Sequence, residues 1–353
     1  MKKISTLSLA FTFTGCFLGA GFVSGQELWQ FFGSFGKAGI VGIIAAVFFL
    51  AFFSFIVIEL SQSLGTGEMD KIVVRSDSRF LRGAFSFFEI FFLFGIYVVM
   101  TAGAGALFEQ MFGLSKLLTA VIFVFAVFLV AVFGARGMIT AFSITVPLLV
   151  IMCVVIFAVN IYKGSFSNFS LTRSDSVNPL TGNPIISAAV YISYNFFAAI
   201  GIMSPLGDSV KSKKSLVSGL LLGEAMLLLI ALSIILTILC NPSAALSQLP
   251  MLQRAQELNG TLGIVFAFFL LMGMFGASVS SVFAINEYAK SKTDNKFLSG
   301  NFAIAILCIL SVGGSLFGFD NLVGTVFPVC GYIGFAALAM LLANYIKEKK
   351  SKT

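Results

Sequence analysis

No histidine occurs in the 353 residues. The usual neutral-pH proton relay, the commonest metal ligand and most bases that activate a nucleophile are therefore missing, and most enzymatic chemistry with them. Charge is scarce: Asp, Glu, Lys and Arg together make 10% of the chain. The five cysteines, Cys16, Cys153, Cys240, Cys308 and Cys330, are odd in number and far apart, within or at the ends of apolar runs. That argues against a disulfide framework and a thiolate metal site, and leaves small buried residues. Tryptophan occurs once, at Trp29, where it suits an interfacial anchor. Intramembrane proteolysis would need a serine with a histidine or two membrane aspartates, and "PLGD" at 205–208 supplies half of one such motif. The chain is expected to be no enzyme and to need no cofactor beyond a coupling ion.

What abounds is apolar surface: 58% of residues are hydrophobic and 42 are phenylalanine. Runs of about 20 apolar residues recur, each long enough to cross a hydrocarbon core of about 30 Å as a helix. The pattern predicts an all-α integral membrane protein of ten transmembrane helices at 5–34, 38–62, 84–109, 117–134, 138–162, 185–207, 216–240, 261–287, 298–318 and 322–345. Residues 1–353 form one transmembrane domain: repeat one over 5–162, an outer loop over 163–184, repeat two over 185–345 and a tail over 346–353. With both termini in the cytoplasm, the outer segments hold Lys37, Lys116, Lys163, Arg173 and Arg254, and the other 17 of the 22 basic residues face inward. This is the positive-inside asymmetry of a multi-pass protein of the bacterial cell membrane. The net charge of +7 reports topology, so the bilayer is the expected partner and nucleic acid is not. "MKKISTLSLAFTFTGC" has the outline of a lipoprotein signal, but Phe13 stands where such signals prefer a small aliphatic residue and apolar sequence continues past Cys16. Retention as the first span is expected.

Ten spans divide into two sets of five, and an odd number per half makes the second half run inverted. "GCFLGAGFVSGQE" at 15–27 places Gly15, Gly19, Gly21 and Gly25 and the acid Glu27 inside the first span. "AGFVSG" at 20–25 has a faint echo in "IGIMSP" at 200–205, a similar way along span six. Glycine costs about 1 kcal/mol relative to alanine in a helix and proline removes a backbone hydrogen bond. Gly19, Gly21, Gly25, Gly201, Pro205 and Gly207 therefore predict unwinding in spans one and six. Backbone that leaves a helix at membrane depth must line a cavity or be buried in protein, where freed carbonyls hold cations and half-helix N-termini hold carboxylates. The competing account is close helix packing, which is the one assigned to Gly103, Gly105, Gly273 and Gly276. Pro147 and Pro328 predict kinks that serve shape.

At these residues the chain resembles a known family. "GAGFVSGQELWQFF" is similar to the first-span signature of the YkvI-like bacterial membrane proteins, which resemble the amino acid–polyamine–organocation transporters of LeuT fold. "NFFAAIGIMSP" followed by the basic "DSVKSKK" looks like the span-six break of that superfamily. The resemblance implies a five-plus-five inverted repeat with helices 1 and 6 broken. It implies a substrate site lined by Gly19, Ala20 and Gly21 and by Ala199, Gly201 and Ile202. In "GASVSSVFAIN" of span eight, Ser280 and Ser281 match the hydroxyls that complete a sodium site in sodium-coupled members, although such serines also bond back to their own helix. Val279 stands where one register would place a hydroxyl, and span five carries no basic residue before Lys163.

Acids inside a membrane are costly and mark function by default. Glu224 in "GLLLGEAMLLL" is predicted to be the deepest, as an ion-coupling proton carrier, a countercharge or a structural acid. Glu89 is expected to pair with Arg82 or to reach the interface, and Glu59, near the inner end of span two, reads the same way. Glu27 is expected to attract cations, to close the outer gate or to be a plain vestibule acid, and Asp208, beside Lys211, is an inner-gate candidate. Tyr97, Tyr191, Tyr194 and Asn195 bring polar groups toward the core, and Tyr97 and Asn195 are candidate substrate contacts. The sequence thus points to a secondary active transporter of a small solute, most simply an amino acid, working by alternating access with sodium or proton coupling. The alternative is a transporter-fold sensor or receptor subunit that binds without transporting, like the membrane subunits of spore germinant receptors. A channel would need a filter or charged ring that the chain lacks. Oligomeric state is left open.

Overall fold

The computed structural model describes residues 4–67, 69–74, 79–133, 138–175, 177–292 and 300–351. Fourteen α-helices follow one another there: α1 (Thr6–Phe17), α2 (Ala20–Ser24), α3 (Gln26–Phe31), α4 (Lys37–Leu64), α5 (Met69–Val73), α6 (Arg79–Phe112), α7 (Lys116–Phe133), α8 (Met138–Tyr162), α9 (Pro184–Met203), α10 (Lys213–Leu239), α11 (Pro250–Leu258), α12 (Gly260–Lys292), α13 (Asn301–Ser315) and α14 (Phe319–Ser351). No strand occurs among the described residues.

Among those residues, α4, α6, α10, α12 and α14 are each long and apolar enough to cross a membrane. The segment Pro184–Gly207 is a sixth, bent by 41° between Pro184–Phe197 and Ala199–Gly207. Shorter apolar helices cover Thr6–Phe17, Lys116–Val132, Pro147–Tyr162 and Asn301–Ser315. Val41, Ile44, Phe48 and Phe52 of α4, and Leu118, Ile122, Phe125 and Leu129 of α7, are exposed at helical spacing. A chain surrounded by lipid tolerates such stripes, whereas water would not.

Local sequence sets the helix starts. Ser5 caps α1 by accepting from Ser8 N at 3.0 Å. Asn183 caps α9 from Ile185 N at 2.9 Å, with Pro184 at the first helical position, where a missing N–H costs nothing. Ser212 does the same for α10.

Two helix sets carry the architecture. α1, α4, α9 and α10 pack on one another; α6, α7, α12 and α13 form the second set; α8 and α14 touch both. Polar contacts gather at two opposite ends. At one, which holds Ile4 and Ser351, the ends of the described chain, Ile4 N donates to Ser209 O at 2.9 Å, Gln62 Nε2 to Gly207 O at 3.0 Å and Lys349 Nζ pairs with Glu59 at 3.1 Å. At the other, Ser174 N donates to Ser34 O at 2.8 Å, Gln30 Nε2 to Asp320 O at 2.9 Å and Arg254 Nε to Asn160 at 2.7 Å.

Candidate functional site

The first span breaks twice. α1 stops at Phe17, Leu18 and Gly19 leave the helix, and α2 restarts from an extended Gly19 (φ −74°, ψ 167°). Six residues later Gly25 turns into the left-handed region at φ 84°, which a glycine enters without a Cβ penalty. α3 then carries Glu27 in its first turn. Span six behaves differently from the unwinding expected there: α9 remains helical through Gly201, bends near residue 198, and tightens into a 3-10 turn over Ser204–Ser209 that contains Pro205 and Gly207. The 3-10 turn is held by Ser61, whose Oγ donates to Ser204 O at 2.6 Å, which ties the turn to α4.

Between the two helix sets lies a cavity of about 370 Å³. Its wall comes from the break in span one (Gly15 to Gly19), Glu27 of α3, Asn195, Gly201 and Ile202 of α9, a stripe of α6 (Glu89, Phe92, Ile96, Met100) and a stripe of α12 (Gly273, Gly276, Ser280, Ser281). It reaches the surface at the terminal end, where the lining residues Gly201, Ile202 and Ala284 are exposed. Toward the other end, buried rings close it. Tyr194 stacks on Phe327 with centroids 4.9 Å apart at 16°, and Tyr191 meets Phe31 at 5.5 Å and Phe32 at 4.7 Å, edge to face.

Glu27 sits beneath these rings, 4% exposed, and its Oε1 accepts from the Tyr194 hydroxyl. Gly21 gives the carboxylate room: a Cβ there would stand 2.7 Å from Glu27 Oε2. Gly21 therefore backs the acid and is not part of the wall. Asn195, one turn beyond Tyr191, donates Nδ2 to Tyr191 O at 3.1 Å. Of α12, Ser280 Oγ donates to Gly276 O at 2.7 Å, and Ser281 is buried on the cavity.

The remaining sequence candidates are distributed as follows. Gly19, Asn195, Gly201, Ile202, Ser280 and Ser281 meet at the cavity. The Ala20 backbone opens α2, and its side chain lies outside the described set. Ala199 is buried off the wall. Tyr97 is not at the cavity either: its hydroxyl donates to Cys308 Sγ of α13 at 3.3 Å. Glu224 is half-buried on α10, away from the cavity. Glu27, expected at a gate, lies in the cavity wall itself. Glu89, expected to pair with Arg82 or to reach the interface, lines the cavity. The side chain of Asp208, and so its pairing with Lys211, lies outside the described residues. Gly273 and Gly276, assigned to packing, have no atom within 4 Å of an added Cβ and open onto the cavity, whereas Gly103 packs as expected, with Met274 Cε 2.9 Å from its would-be Cβ. Sequence inspection missed Phe92 and Phe327. The only available signal for Phe92 was its place three residues after Glu89.

Compared with known proteins, the chain is 27% identical over 359 aligned residues to the uncharacterized membrane protein YkvI of Bacillus subtilis (strain 168), covering 99% of each chain. No protein-family model matches. By structure it is similar to Mhp1, a nucleobase-cation-symport-1 family transporter, in its inward facing conformation (TM-score 0.64, 13% identity, 96% of this chain and 76% of that one). It is also similar to the manganese transporter of Eremococcus coleocola (TM-score 0.60, 14% identity, 97% and 78%). The chain is thus a full-length likeness of YkvI, built on the LeuT-like transporter fold that the first-span resemblance implied.

Proposed function

We propose that this protein is a secondary active transporter of a small solute, spanning the bacterial cell membrane ten times as two inverted repeats, with both termini in the cytoplasm. The observation that carries this is the cavity at the span-one break, open at the terminal end and shut at the other by stacked rings. That is the arrangement an alternating-access carrier has in one of its two states. With the termini inside, the state is inward-facing. Rocking one helix set against the other would open the ring closure and shut the terminal side. The solute class includes amino acids, whose ammonium group Glu27 can accept and whose carboxylate the amides at the start of α2 can meet.

Accessibility tests the cycle without knowledge of the solute. Cysteine placed at Gly276, in a Cys16→Ser background that removes the native thiol of the cavity wall, is expected to react with a membrane-impermeant maleimide from both faces, faster from the terminal one. Reaction from one face only would overturn alternating access and assign the protein to ligand sensing.

Sodium is the proposed coupling ion. α12 packs against α2, and this brings Ser280 and Ser281 beside the broken backbone. A hydroxyl that donates to its own helix keeps lone pairs for a cation. Thermal unfolding of the purified protein is expected at higher temperature in sodium than in potassium at equal ionic strength, and Ser281→Ala should raise the sodium concentration for half-maximal effect at least tenfold. Equal midpoints in the two salts for the wild type would remove sodium and leave protons, with Glu27 and Glu89 as the acids on the cavity.

A further inference from the structure

The charge of the cavity wall is one-sided. Glu27 and Glu89 contribute carboxylates, and no lysine or arginine is among the described lining residues. We propose that the preferred solute is a small organic cation, a protonated amine whose ammonium seats on the Glu27 carboxylate beneath the Tyr194–Phe327 ring pair. This rests on the cavity being the solute site of the proposed transporter, and narrows its class from ammonium-bearing solutes to those with net positive charge.

Three features of the site argue for it. A carboxylate offers about four lone-pair positions, and the Tyr194 hydroxyl takes one of those on Glu27. The others suit an ammonium, which donates three hydrogen bonds. Asn195 donates one of its two Nδ2 hydrogens to Tyr191 O, and its carbonyl oxygen is a further acceptor at the same end of the cavity. The rings supply the second feature. Phe92, Tyr194 and Phe327 line the wall with centroids 4.9 to 6.5 Å apart, and a cation within about 6 Å of a ring face is attracted by its quadrupole.

The third feature is what a carboxylate on the solute would meet. It would face two acids and the negative faces of the rings, with only neutral donors, such as the Ser281 hydroxyl and the Asn195 amide, among the described lining residues to receive it. Like charges repel strongly where solvent is excluded, so zwitterions bind more weakly than the matched amines and acids are excluded. An inorganic divalent ion is the other cationic occupant. It wants six or more oxygen ligands, while no group of three His, Cys, Asp or Glu gathers among the described residues, and the wall is mostly apolar. An organic body fits that wall better.

The test uses the full-length protein in detergent and a matched set of probes at equal ionic strength: 2-phenylethylamine, phenylalanine and 3-phenylpropionate, then butylamine, 2-aminopentanoate and pentanoate, and manganese and calcium chloride. The amines are expected to raise the unfolding temperature with at least tenfold tighter apparent affinity than their zwitterions, and the acids to have no effect. Glu27→Gln keeps the shape and a partner for Tyr194, and should weaken amine binding at least 30-fold. Phe327→Leu should weaken it about tenfold through the lost ring face, and it carries the test should Glu27→Gln fail to fold. Tighter binding of a zwitterion or acid, wild-type amine affinity in both variants, stabilisation by a divalent ion but not by amines, or no response to any amine at 20 mM or about that level would each overturn the proposal. Amine binding without labelling of Gly276→Cys from both faces would defeat transport and leave the cation site standing. Two-faced labelling with preference for zwitterions would do the reverse.

Discussion

Gly21→Leu is expected to lower solute affinity at least about 100-fold, equivalent to about 2.8 kcal/mol, and to abolish transport while the protein still inserts. The space at Gly21 is already taken: a Cβ would come within 2.7 Å of Glu27 Oε2 and 3.5 Å of Phe327 Cε2. The carboxylate must swing away, which breaks its bond from Tyr194 and leaves a buried acid without its donor, a loss of the kind that costs about 1–3 kcal/mol or more. The remaining leucine carbons then reach the end of the cavity where the solute is proposed to sit. Gly313→Ala is the control, because no atom lies within 4 Å of its new Cβ and it lies off the cavity, and it should retain most activity. Uptake into proteoliposomes, read beside membrane fractionation, checks both; wild-type affinity in Gly21→Leu would show that Glu27 has no part in binding.

Gly331→Leu is expected to destabilise the fold by about 3 kcal/mol, the upper end for overpacking, and to lower the unfolding temperature of the purified protein clearly below that of the wild type. α9 and α14 approach so closely that a Cβ at Gly331 would lie 2.6 Å from Val190 O and 2.6 Å from Val190 Cγ1. Backbone cannot give way as a flexible side chain does. One turn on, Gly334 has Ser193 O 3.1 Å from its would-be Cβ, so the two helices must move apart as bodies. Tyr194 on α9 and Phe327 on α14 then lose their 4.9 Å stack, and the closure over Glu27 opens. The variant should accordingly label faster from the face opposite the termini when combined with Gly276→Cys. An unchanged unfolding temperature would mean that the α9–α14 spacing is not what sets the closure.

The break in span one was legible because it is local. Glycines at 19, 21 and 25 act on their own φ and ψ wherever the helix packs, and the chain leaves the helix at Leu18–Gly19 and again at Gly25. Span six shows the limit of that logic: Pro205 and Gly207 predicted unwinding, yet hydrogen bonds from Ser61 and Gln62 of α4 hold the segment as a 3-10 turn. A breaker states what the backbone cannot do; its neighbours decide what it does.

The sequence by itself determined that the chain lies in a membrane, roughly where its apolar helices run, and where the first of them breaks, since length, hydropathy and glycine chemistry are read residue by residue. Only the tertiary structure decided which side chains face the cavity. A helix apolar on every side carries no amphipathic stripe to fix its rotation. On α6, Glu89, Phe92, Ile96 and Met100 therefore line the cavity while Tyr97 turns to Cys308. For the same reason Glu224, deep in the sequence of its span, stands apart from the cavity, and Glu27, beyond two breaks that reset the helical phase, lies within it.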